Sequence, residues 1–125
     1  MAKIKAPSMH DAIYVGTHGN LSLAKTQVTL AAAAINDVVE MVEIPVGIDI
    51  QALRISTSGL GDNVVADIRI GDTTLASDLD LSGEYSQTIA CDHYTEEKSI
   101  ITVTIRGAAA TGTLNVNPEY LATGY

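Results

Sequence analysis

Ile101-Thr102-Val103-Thr104-Ile105-Arg106 alternates a branched apolar residue with a polar one at every step. Successive residues of a strand point to opposite faces, so this stretch predicts a β-strand with Ile101, Val103 and Ile105 on one face. The same period of two recurs in Val28 and Leu30, in Val64, Ala66, Ile68 and Ile70, and in Leu114 and Val116. Each set places an apolar row inward and a polar row outward, the pattern of a sheet with one buried and one wet face. Turn signals separate these runs at Pro45–Gly47, Gly59–Asn63, Gly71–Asp72, Ser82–Gly83 and Gly107–Gly112. Short strands spaced in this way predict an all-β chain: a single β-sandwich, jelly-roll-like, with an immunoglobulin-like topology as the alternative. The immunoglobulin hallmark of two Cys around a core Trp is absent.

Two stretches depart from simple alternation. In residues 48–56, Ile48 and Ile50 share one parity while Leu53 and Ile55 share the other. One extra residue near Gln51–Ala52 restores a common face, so a bulge or a sheet-to-sheet corner is expected there; a strand buried on both faces is the alternative. In Leu30–Glu43, the alanines favour helix, but Asn36 and Asp37 favour a turn and Val38, Val39 and Val42 favour a strand. The expectation is a loop at Ala31–Asp37 followed by a strand at Val38–Ile44.

Composition narrows the class. The 125 residues are 46% apolar, yet contain no Phe, no Trp and five Tyr, so the core must be built from Ile, Val, Leu, Ala and a few Met. One cysteine excludes an intramolecular disulfide framework. A net charge of −8 disfavours nucleic acid and anionic membranes as partners. No apolar run approaches a membrane span, and no secretory signal is visible in the first thirty residues. The charge is uneven: residues 1–25 carry +2 and residues 26–125 carry −10. Together with Pro7, Gly16 and Gly19, this divides the chain into an extended N-terminal arm at 1–24, with a short strand at Ala12–Val15, and a β-sandwich domain with a C-terminal tail at 25–125. The arm is either a frayed terminus or a segment that docks on a neighbouring subunit. On the second reading, removing it weakens partner binding and leaves the β fold intact.

Residues that could carry chemistry are few. Phosphate-loop, dinucleotide, nucleophile-elbow and zinc-helix motifs are all missing. Cys91 and His93 would share a strand face, but a structural zinc needs four ligands, and the expected role of Cys91 is a small buried thiol beside a polar turn. Asp72, Asp78, Asp80 and Glu84 could supply oxygen ligands to calcium, but they lack an EF-hand spacing; the alternative is a solvated loop whose carboxylates accept turn amides. No cofactor and no enzymatic activity are expected. Lys3, Lys5, Tyr14, Tyr120 and Tyr125 are the candidate partner contacts, because the lysines complement an acidic surface and Tyr is common at interfaces.

The run Ala31-Ala-Ala-Ala-Ile-Asn-Asp-Val-Val-Glu-Met-Val-Glu-Ile-Pro-Val-Gly-Ile48 resembles a pattern in small tailed-phage virion proteins. There an Ala-rich stretch leads to Asn-Asp, an apolar strand containing Glu, and Pro-x-Gly. The strand at Ile50–Ser56, the turn Gly59-Leu-Gly61, the ending Gly71-Asp72 and the closing segments Ile100–Arg106 and Thr113–Leu121 fit the same pattern. The resemblance runs from Lys25 to Leu121. It implies a capsid decoration (cement) protein on the capsid exterior, binding the major capsid protein and bridging its subunits, and associating as a dimer or trimer. Another virion position (tail, head-tail junction or head fibre) and a carbohydrate- or receptor-binding β-sandwich are the alternatives. The scarcity of aromatic rings for stacking sugars counts against the last.

Overall fold

The computed structural model describes residues 3–10, 12, 13, 15 and 21–122. Ten strands follow one another: β1 (Lys3–Lys5), β2 (Leu21–Leu23), β3 (Gln27–Ala33), β4 (Val38–Ile44), β5 (Ile48–Thr57), β6 (Val65–Ile70), β7 (Thr73–Asp80), β8 (Tyr85–Tyr94), β9 (Ser99–Arg106) and β10 (Ala110–Ala122). One sheet has the order β1-β4-β9-β6-β7; the other has β2-β10-β5-β8, with β3 also paired to β10. Strands β3 to β10 thus form two four-stranded sheets, β4-β9-β6-β7 and β3-β10-β5-β8. Every connection except the β6–β7 hairpin crosses between them, which is jelly-roll topology.

The alternating residues fill the space between the sheets. Ile101, Val103 and Ile105 of β9 face Ala66, Ile68 and Ile70 of β6, and all six are essentially inaccessible to solvent. The irregular 48–56 stretch buries Ile48, Ile50, Leu53 and Ile55 on one face. It does so because the register shifts at Gln51 against both neighbours, β10 and β8. The bulge is therefore where the parity change requires it. Strand β4 repeats the device: Val39 and Met41 share one parity, Val42 and Ile44 the other, all are buried, and the pairing with β9 slips between Glu40 and Val42.

The β3–β4 connection is shorter than expected. Strand β3 continues through the alanines to Ala33, with Ala32 at φ +53° where its pairing with β10 slips. The turn itself occupies Ala34–Asp37, with Asn36 at φ +72° and Asp37 Oδ2 accepting the Ala34 N–H at 2.9 Å. Asn and Asp are the residues that tolerate such turns. At one end of the sandwich, the 107–112 segment lies against the 59–64 loop, and Thr111 N–H donates to Leu60 O at 2.9 Å. At the other end, buried Thr95 closes the turn before β5, its hydroxyl donating to Pro45 O and accepting the Ile48 N–H.

The expectation of an extended N-terminal arm, either frayed or docked on a neighbouring subunit, is corrected: residues 3–10 lie on the chain's own sheet. Residues 3–10 run along β4: β1 pairs with it in parallel, Ala6 N–H donates to Glu40 O, Glu43 N–H donates to Met9 O, and the buried Ser8 hydroxyl donates to Met41 O. Ala6 and Met9 are buried. The physical reason is the open edge of β4, whose donors and acceptors need partners. Likewise β2 pairs with the end of β10 that β3 leaves uncovered. The expected strand at Ala12–Val15 is not formed at Ala12, Ile13 or Val15; Tyr14 lies outside the described residues.

Removing residues 1–10 should therefore lower the melting temperature, as followed by circular dichroism, rather than leave the body unchanged. Gly107 has φ +85°, and a Cβ there would sit 2.1 Å from Asn63 O. Gly107→Ala should cost at least about 2 kcal/mol in urea unfolding, since the left-handed backbone and the clash add.

Candidate functional site

The groups that could have made a catalytic or metal centre are dispersed or occupied. Cys91 lies half-buried on β8, its Sγ 3.9 Å from Ile50 O. Burial, with Asp92 and Asp49 adding repulsion, pushes its thiol above the ordinary value, the opposite of what a nucleophile needs. Among the carboxylates, Asp80 Oδ1 accepts both the N–H and the hydroxyl of Ser82, which holds its carboxyl below the usual range. Asp78 is left-handed at φ +55°, donates its N–H to Asp67 Oδ1 at 2.9 Å, and is ion-paired with Arg106. The Arg106 Nε also lies 2.9 Å from Asp67 Oδ2. The hydrogen bonds it donates to Asp78 and then Asp67 raise the guanidinium above its ordinary value. These carboxylates are thus engaged in a turn and a cross-strand ion pair. Among the described residues no three His, Cys, Asp or Glu side chains converge as a metal site would need.

The five candidate contacts separate into three groups. Lys3 and Lys5 are exposed on β1 at the edge of one sheet, Lys5 opposite Glu40. Tyr120 is not in a tail and does not face outward. It stands on β10 between Ser22 and Ile50 and is 1% exposed, the bulkiest side chain of the core. The inward parity of β10 places it there, the one aromatic ring among the largest fully buried side chains. Tyr14 and Tyr125 lie outside the described residues.

The surface that strand reading missed is the outer face of the β10 sheet. Its upper half is a ladder of polar side chains, neutral except for Arg54. One row is Gln27–Asn115–Ser56–Ser86; another is Asn117–Arg54–Thr88; the Thr29 and Thr113 hydroxyls lie 3.1 Å apart. Its lower half is different. One row runs Leu21–Leu121–Asp49–Tyr94 and the next Leu23–Glu119–Ala52–Ala90. The signal was present as Leu21-Ser22-Leu23, but a three-residue alternation has no face until its partner strand is known. Glu119 is ion-paired with Arg54 of the adjoining row.

A protonated, half-buried thiol is a poor nucleophile, so iodoacetamide should alkylate Cys91 at pH 7 several-fold more slowly than free cysteine. The rate should rise only at a pH above that at which free cysteine ionises; faster alkylation than the free amino acid would restore a reactive role.

No protein-family model matches the chain, and no curated protein matches it. Solved structures do. A chain in the "Capsid of Ralstonia phage GP4" is similar over 98% of this chain and 99% of that one, at a TM-score of 0.66 and 13% identity. A chain in the "Cyanophage Pam1 capsid asymmetric unit" is similar over 92% and 94%, at 0.61 and 18%. A third, in the "Acidic stable capsid structure of Helicobacter pylori bacteriophage KHP30", is similar over 86% and 92%, at 0.58 and 18%. Three chains found in phage capsids therefore share the fold of this one along nearly their full lengths.

Proposed function

We propose that this protein is a structural component of a phage virion that decorates the head, a cement protein that binds the outer surface of the shell and bridges neighbouring subunits of the major capsid protein. The observation that carries the reading is the end-to-end likeness to a chain of a phage capsid, covering 98% of one and 99% of the other. The dispersed, occupied polar groups of the body agree with a binding rather than a catalytic role.

Charge supports the exterior. A head interior packed with DNA confronts its lining with phosphates, and a chain of net charge −8 is repelled there. On the outside the same charge keeps the free protein soluble until it docks. Two packed sheets provide a rigid body, so little conformational entropy is lost on binding. A shell offers many equivalent sites, and contact with two subunits at once makes the second contact intramolecular. Association of copies as a dimer or trimer extends that effect. Lys3 and Lys5, exposed on the β1 edge, are the basic contacts proposed toward an acidic neighbour.

The test is binding to heads of its own phage assembled without this protein. Negative-stain microscopy and quantitative mass spectrometry should find saturable binding in many copies over the whole surface, and the bound heads should withstand a higher temperature before releasing DNA. Absence of binding overturns the proposal. A few copies at one vertex would instead assign the protein to the connector, tail or fibre.

A further inference from the structure

The outer face of the β10 sheet is divided, and the division is the observation to be explained. Both halves belong to the same four-strand width and face away from the core. The upper rows are Asn, Gln, Ser and Thr with Arg54 among them, as expected of a wet sheet face. The lower rows bring Leu21, Leu121, Tyr94, Leu23, Ala52 and Ala90 together in register. Leu21 is 62% exposed, Leu23 44% and Tyr94 41%, and these are three of the five large apolar side chains that stand exposed among the described residues. Scattered exposed leucines need no explanation, but a contiguous set on one face does.

A second feature lies inside this patch. Asp49 sits in the middle of the Leu21–Leu121–Asp49–Tyr94 row, and its Oδ1 is shielded from water without a hydrogen-bond donor among the described residues. A shielded acceptor without a donor costs free energy in the isolated protein. The neighbouring carboxylate, Glu119, is matched by Arg54. The patch therefore holds one carboxylate, Asp49, whose Oδ1 has no donor among the described residues, framed by aliphatic side chains.

We infer that these two rows form a docking surface for a shell subunit that presents a Lys or Arg side chain within an aliphatic surround, the cation reaching Asp49 while Leu21, Leu23 and Leu121 bury against its neighbours. The inference rests on the head-decoration reading and names where and by what chemistry the docking occurs. Two copies of this chain meeting face to face would bring Asp49 against another acidic body, which is the less favourable occupant. With strands about 4.8 Å apart, the four-strand row spans roughly 14 Å. The two rows lie about 7 Å apart along the strands and so frame on the order of 100 Å². A standard interface takes about 800 Å² per partner, so the patch acts as the energetic centre, with the polar upper rows as a hydrated rim.

The experiment compares the wild type, Leu21→Ser/Leu23→Ser, Asp49→Asn and the rim variant Thr88→Ala/Asn115→Ala for binding to heads assembled without this protein. The double Leu variant and Asp49→Asn should each lose at least tenfold in affinity, and the rim variant should change less than threefold. Asp49→Asn should also flatten the salt dependence of binding, while its melting temperature stays at or above that of the wild type. If the wild type binds and the patch variants bind equally well, the docking surface is wrong and the decoration reading stands. If the wild type binds no head, both fail. If sedimentation shows that Leu21→Ser/Leu23→Ser converts an oligomer of the free protein to monomer, the patch is a contact between copies, and the inference is overturned in favour of self-association.

Discussion

The ladder between β5 and β10 organises the molecule. Nine residue pairs join them, from Leu114↔Thr57 to Ala122↔Ile48. Each strand presents apolar residues to the core on one face, so a slip of one residue would expose the whole set. The chain cannot keep that ladder perfectly regular, because the apolar residues of β5 change parity between Ile50 and Leu53. The extra residue at Gln51 absorbs the change, and the strands on both sides adjust to it. Below the bulge, the inward row runs Ser22–Tyr120–Ile50–His93, and this places the one large ring of the core. The outward rows on either side of it hold Leu21, Asp49 and Tyr94, and Leu23 and Ala90. The packing of the interior and the makeup of the proposed docking face follow from the same register.

Edges are the second constraint. The β10 strand is thirteen residues long, too long for β3 alone to cover, and it contains Pro118, which has no N–H to give. Pro118 O accepts the Ala24 N–H, so the missing donor falls on the side where β2 gives way to β3. Thr26 bridges that break: its N–H donates to Asn117 Oδ1, and its hydroxyl to Val116 O. At the opposite edge of the sandwich, β7 is bulged at Asp78 and carries the Asp67–Arg106–Asp78 ion pairs, features that blunt pairing with another chain. The N-terminal residues serve the same purpose on β4. Segments that look dispensable in composition are thus used to close backbone hydrogen bonds, and the polar clusters that look catalytic are used to shape turns and edges.

Much of this was legible in the amino-acid order. The alternating runs at 64–70 and 101–106 lie where alternation placed them, and Val38–Ile44 is a strand with the expected limits. Parity marked Gln51–Ala52 as the place for a bulge or a corner, with a strand buried on both faces as the alternative; the register shows the bulge. The same parity test applied to Val39, Met41, Val42 and Ile44 reveals the slip in β4, which composition hid behind a run of valines. Tyr120 was the clearest misreading. A Tyr five residues from the end suggests a tail, but as part of a thirteen-residue strand it takes the parity of Leu114 and Val116 and points inward.

The sequence by itself determined the all-β class, the inward rows, the turn positions and an acidic surface without a catalytic motif, because these depend on local periodicity and summed charge. Only the tertiary structure decided the strand order, the docking of residues 3–10 on their own sheet, and the gathering of Leu21, Leu121, Asp49 and Tyr94 into one row. Those four residues come from four strands separated by up to a hundred positions. Their meeting depends on cross-strand register, which the whole fold sets and no single stretch of the chain encodes.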